Sequence, residues 1–112
     1  MKRAVALVLA LLASAAIAAE KKTFNYACKG GNFSITAAVD RSNGAERWSK
    51  AEPVILQIGS EPPQTLTADP NAPEADSFKN KDFEFYALKN FITLTHRSHG
   101  VVVQTYSACR AE

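Results

Sequence analysis

Two cysteines, two histidines and one tryptophan are all that these 112 residues contain of those types, and several kinds of chemistry are excluded with them. A zinc centre takes three or four ligands. His96 and His99 lie three apart with no cysteine, aspartate or glutamate beside them in sequence, so they read as residues of a hairpin turn and no metal site is expected. The cysteines form no Cys-x-x-Cys pair, which argues against a redox centre. No Gly-x-Ser-x-Gly context marks a nucleophile, and nothing in the order of the acids pairs two of them at the roughly 5 to 10 Å that glycoside hydrolysis needs. Neither an enzyme nor a cofactor is expected. The longest apolar run, Ala4 to Ala19, is shorter than the roughly 20 residues of a membrane-crossing helix. No later segment keeps a 3.6-residue apolar period for three turns, so helices are not expected either. Repeats, heptads and linkers are absent as well.

The sequence opens with a leader. Lys2 and Arg3 supply a positive start, Ala4 to Ala15 an apolar stretch, and Ala16-Ile17-Ala18 a small-x-small cleavage signal. Cleavage near Ala19 gives a signal peptide over 1–19 and a single domain over 20–112, too short for a second core. No cysteine sits at the cleavage site to take a lipid, so no membrane anchor is expected. The short alanine-rich leader points to a periplasmic or secreted bacterial protein. Removing Lys2 and Arg3 leaves 11 basic and 11 acidic residues, a formal charge of zero, which gives no reason to expect a nucleic-acid or other phosphate partner.

In an oxidising compartment an even pair of cysteines reads as a bridge. Cys28 and Cys109 would then close a loop that takes in most of the domain. On the chain-entropy estimate such a bond contributes roughly 4 kcal/mol, a large part of the stability of so small a domain.

Between the cysteines the pattern is that of strands. Phe24, Tyr26 and Cys28 alternate with Asn25 and Ala27; Phe33, Ile35, Ala37 and Val39 alternate with Ser34, Thr36 and Ala38. The Gly30-Gly31 turn between them predicts a β-hairpin. Further strands are expected over Pro53–Ile58, Gln64–Thr67, Phe83–Ala87, Phe91–Thr95 and Val101–Tyr106, the last two joined by a turn over His96–Gly100. Six or seven short strands at this spacing suggest a small antiparallel barrel or a sandwich. Two segments break the pattern. Arg41–Glu52 holds the turn signal Asn43-Gly44 and then Ala45–Ala51, long enough for one helical turn. Ala68–Lys81, with Pro70, Pro73 and scattered charges, is expected to be a long loop, and long loops in compact domains are often functional. Trp48 suits either an interface or the core, and the need of a small barrel for large side chains favours the core. Lys79, Lys81 and Lys89 flank the strand Phe83–Ala87. They read either as solvated charges that discourage edge pairing or as a cationic probe for an acidic cleft.

Tyr26-Ala27-Cys28 entering a strand, the aromatic strand Phe83-Glu84-Phe85-Tyr86, the following Ile92-Thr93-Leu94 and the late Cys109 together resemble the bacterial C-type lysozyme inhibitors, the MliC/PliC group, across almost the whole domain. The resemblance implies an eight-stranded antiparallel β-barrel that blocks lysozyme by inserting a loop serine and a lysine into the catalytic cleft. The family's signature is a serine-glycine-x-x-tyrosine loop, an aromatic strand and a lysine-glycine turn. Here the corresponding loop is Glu74-Ala75-Asp76-Ser77-Phe78 and the corresponding turn Leu88-Lys89-Asn90, without either glycine and with Phe78 for the tyrosine. On this resemblance the partner is a lysozyme-like muramidase, Ser77 and Lys89 are the inserted residues, and Asp76 and Phe78 flank them. A barrel of the same kind that binds another envelope component is the alternative.

Overall fold

The alternation seen in the sequence becomes the wall of a barrel. The computed structural model describes residues 20–40 and 46–112; the expected leader and the Asn43-Gly44 turn lie outside the described residues. Nine strands follow one another: β1 (Glu20–Lys29), β2 (Gly31–Asp40), β3 (Arg47–Trp48), β4 (Val54–Gln57), β5 (Gln64–Ala68), β6 (Asp76–Lys79), β7 (Phe83–Leu88), β8 (Phe91–Ser98) and β9 (Val101–Ala111), with no helix among the described residues. The hydrogen-bonded order is β1-β9-β8-β7-β6-β5-β4-β2-β3, and β1 also pairs with β2. That last pairing closes an antiparallel barrel of eight strands, with β3 attached only to the end of β2 at Val39 and Asp40. Closure removes the free edges that an open sheet of this size would expose.

Two expectations are corrected here. The segment expected as one long loop contains β6, whose four residues pair with β7 from Asp76 opposite Ala87 to Lys79 opposite Glu84. The segment expected to make a helical turn instead pairs Arg47 with Asp40 and Trp48 with Val39. In both places long-range pairing overrides weak local preference. The predicted turn over His96–Gly100 shrinks to His99-Gly100, because β8 runs on to Ser98.

The inward residues fill the barrel. Ile35, Val54, Leu56, Leu66, Phe78, Phe85 and Leu94 have no exposed surface, and each such side chain stabilises the fold by about 1.5–3 kcal/mol relative to exposure. Phe33 is at the centre of an aromatic cluster, with ring centroids 5.3 Å from Tyr26, 6.0 Å from Phe85 and 5.7 Å from Tyr106. The hairpin between β1 and β2 requires glycine at Gly30, in the turn, and at Gly31, which opens β2 opposite Cys28. Gly30 and Gly31 have φ of 104° and 144°, and a Cβ on either would lie 2.8 Å from Thr105 O or from the Tyr106 ring. The Cys28–Cys109 disulfide joins β1 to β9 where their register shifts between Ala27 and Lys29. It therefore holds the seam at a point where the ladder itself is interrupted.

Candidate functional site

Strand direction gathers the chemistry at one end of the barrel. The β7–β8 hairpin closes there, with Leu88 opposite Phe91, and leaves Lys89-Asn90 as a two-residue turn. Asp76 pairs with Ala87 on the neighbouring strand, so β6 begins at the same end. The segment between β5 and β6, β3 and the last residues of β9 complete this rim.

The turn is the most prominent feature of the rim. Lys89 is exposed and adopts a left-handed conformation, φ 55°, which costs a residue with a Cβ about 1 kcal/mol or more. Phe91 follows it with 62% of its surface exposed, its ring 6.0 Å from Tyr86 in an edge-on arrangement. Beside the turn runs a groove of about 620 Å³ bordered by Lys89, Asn90, Ile92, Ala108, Cys109, Arg110 and Ala111. Two cations, Lys89 and Arg110, thus border this groove.

The barrel mouth is a second cavity, about 660 Å³, lined by Phe24, Glu46, Arg47, Trp48, Lys50, Asp76 and the segment Pro73–Ala75. Trp48 and Phe24 are its aromatic lining residues. The indole is partly buried and packs on the core, stacked on Phe85 at 5.5 Å and tilted against Phe24 at 5.0 Å. The expected core role of Trp48 is therefore met, at the core's open end. The Lys50 ammonium donates to the carbonyls of Ala75 and of Pro73, the latter at 3.3 Å, and so anchors the segment before β6. Asp76 faces this mouth. Burial raises its pKa, and the positive charges of Lys50 and Arg47 partly offset the rise. Farther in, burial and the Asp76 charge push the Tyr26 hydroxyl up to about 12.

The structure separates the four residues that the resemblance implied. Lys89 is at the surface, at the apex of its turn, and Asp76 is half-buried in the mouth. Ser77 is only 1% exposed, and its Oγ has no hydrogen-bond partner. Phe78 is fully buried, its ring 6.0 Å from Trp48. Neither Ser77 nor Phe78 can touch a partner while β6 stays in the sheet, because their side chains are enclosed. His96 stacks on Phe83 at 4.3 Å and His99 occupies the turn after β8; no group of three metal-ligating side chains occurs among the described residues. Sequence reading did not single out Arg47, Lys50, Phe91 or Arg110. Phe91 reaches the rim as the first residue after the Lys89-Asn90 turn, whereas only the barrel's long-range pairing brings Arg47, Lys50 and Arg110 there, and no local motif marks those three. No protein-family model, curated protein or solved structure matches the chain.

Proposed function

We propose that the protein is exported to the periplasm or beyond and inhibits a C-type lysozyme or a related muramidase by placing the Lys89 turn in the enzyme's catalytic cleft. The observation that carries this reading is the turn itself: an exposed ammonium on a two-residue apex, held in a left-handed conformation, beside the exposed Phe91 ring. The eight-stranded barrel is the architecture that the resemblance to lysozyme inhibitors implied. The disulfide fits an oxidising compartment.

A retaining glycosidase cleft holds an ionised carboxylate beside a carboxylic acid kept protonated by its surroundings. The Lys89 ammonium would pair with the first. A hydrogen-bonding group is needed for the second, and with Ser77 enclosed the exposed Asn90 amide takes that role, since it offers both donors and an acceptor. Phe91 would add apolar contact area at the centre of the interface, where aromatic anchors carry most of the binding energy. Arg110, across the groove, would favour an acidic target during encounter. Calorimetric titration of the purified protein into C-type lysozyme tests the reading. Saturable binding that weakens with added salt is expected, and no heat of binding at any ratio would refute it.

A second reading rests on the barrel mouth. A cavity of about 660 Å³ with an aromatic lining and the half-buried Asp76 suits a small polar envelope component. Trp48, the only tryptophan, would report its arrival. A fluorescence change with soluble cell-wall fragments, together with no binding of lysozyme, would favour this reading over the first.

A further inference from the structure

The barrel mouth carries its polarity almost entirely as charge. Among the described residues its lining holds Glu46, Arg47, Lys50, Glu74 and Asp76 but no serine, threonine, asparagine or glutamine, which leaves the Trp48 indole N–H as its one neutral polar side-chain group. With Lys22, whose ammonium is 3.0 Å from the Glu46 carboxylate, three cations face three carboxylates. The mouth therefore has no net formal charge.

Most of these charges are already engaged. Lys22 is held by Glu46 and lies over the Phe24 ring, 5.9 Å from its centroid, while Lys50 donates to the carbonyls of Pro73 and Ala75. Glu74 is exposed to solvent. Arg47 and Asp76 both border the cavity and feel each other's charge, yet neither side chain makes a hydrogen bond or a salt bridge among the described residues. Asp76 is also half-buried. Taking a carboxylate out of water without a partner is unfavourable, and burial accordingly raises its pKa.

We propose that the mouth binds a small zwitterion, an amino acid or a dipeptide, with its ammonium on Asp76, its carboxylate on Arg47 and its apolar side chain against Trp48 and Phe24. This rests on the second reading above and names the class of ligand for it. Charge decides that class. A simple cation would meet Asp76 but be opposed by Arg47 and Lys50, and a simple anion would meet Arg47 but be opposed by Asp76 and Glu74. A neutral sugar would leave both free charges without a counter-charge. A zwitterion satisfies both at once, and the planar guanidinium matches a carboxylate in two-point contact. The volume of about 660 Å³ is within the range of small-molecule sites.

Trp48 is the only tryptophan and lines the cavity, so its fluorescence reads the site directly. Titration at pH 7 with leucine and with leucyl-leucine is expected to give a saturable change, and the tighter of the two shows whether the mouth prefers an amino acid or a dipeptide. Leucinamide, which lacks the carboxylate, and N-acetyl-leucine, which lacks the ammonium, should each bind roughly tenfold or more weakly. Asp76→Asn and Arg47→Gln should each weaken leucine binding by a similar factor. Lys81→Ala, between β6 and β7 at the other end of the barrel, should bind like the parent. Equal binding of leucine, leucinamide and N-acetyl-leucine, or parent-like binding by Asp76→Asn or Arg47→Gln, would overturn the proposal and leave apolar contact alone. No change with either zwitterion would overturn it as well. If soluble cell-wall fragments still changed the fluorescence, the mouth would remain a binding site and only the ligand class would fall; if they did not, both would fall.

Discussion

Loss of the Cys28–Cys109 bond should leave the barrel barely stable. The cysteines are 81 residues apart in sequence, and closing a loop of that length removes enough unfolded-state entropy to contribute about 4.5 kcal/mol at room temperature. The native geometry adds to the effect. The bond sits at the register shift between Ala27 and Lys29, so no regular ladder takes over the seam between β1 and β9 at that point. For a domain of this size each kcal/mol moves the melting temperature by about 4–8 °C, so replacing both cysteines by serine should lower it by roughly 20 °C or more. The double variant avoids a stray thiol that could pair between molecules. Thermal unfolding followed by circular dichroism, with the parent protein under reducing and non-reducing conditions as controls, measures the change. A drop of only a few degrees would show that the β1–β2 and β8–β9 ladders hold the barrel without the bond, and would refute the reasoning.

Two other perturbations have defined outcomes. Asn80 holds the β6–β7 turn: its Oδ1 accepts the N–H groups of Asp82 and Phe83, both at 2.8 Å, and its Nδ2 donates to Thr65 O at 3.2 Å; Asn80→Ala should cost about 2 kcal/mol, measured by denaturant unfolding, and an unchanged midpoint would show that the turn does not need these bonds. Asp76 has a raised pKa in the folded state, so the fold holds its proton more tightly than the unfolded chain does, and the resulting stability is present below the ordinary value of 3.8 and lost as pH rises through the folded value; Asp76→Asn should therefore gain melting temperature over the parent on going from about pH 3 to about pH 7, and a difference that stays constant with pH would contradict the burial argument.

The fold was legible where side chains alternate. Phe33, Ile35 and Ala37 on β2 and Phe83 and Phe85 on β7 mark one face every second residue, and the structure buries all five. It was not legible where strands are made by their partners. β6 has a single large apolar residue, Phe78, and is a strand because β7 offers it four paired positions. Arg47-Trp48 is a strand only because it reaches the end of β2. The site divides in the same way. Lys89 could be read as a turn residue between two clear strands. The enclosure of Ser77, by contrast, depends on how the chain packs around β6, and the approach of Arg110 to Lys89 depends on β9 returning beside β8, neither of which leaves a trace in nearby sequence.

Lysis of bacterial cell walls by C-type lysozyme, followed by turbidity with increasing amounts of this protein, tests the central claim most directly. The parent should slow lysis in a saturable way. Lys89→Ala should need well over tenfold more protein for the same effect, since loss of one partner of a desolvated ion pair costs about 2 to 5 kcal/mol, and Lys21→Ala should act like the parent. Lysis at the full rate under a large molar excess of the parent, or equal inhibition by the parent and Lys89→Ala, would contradict the account.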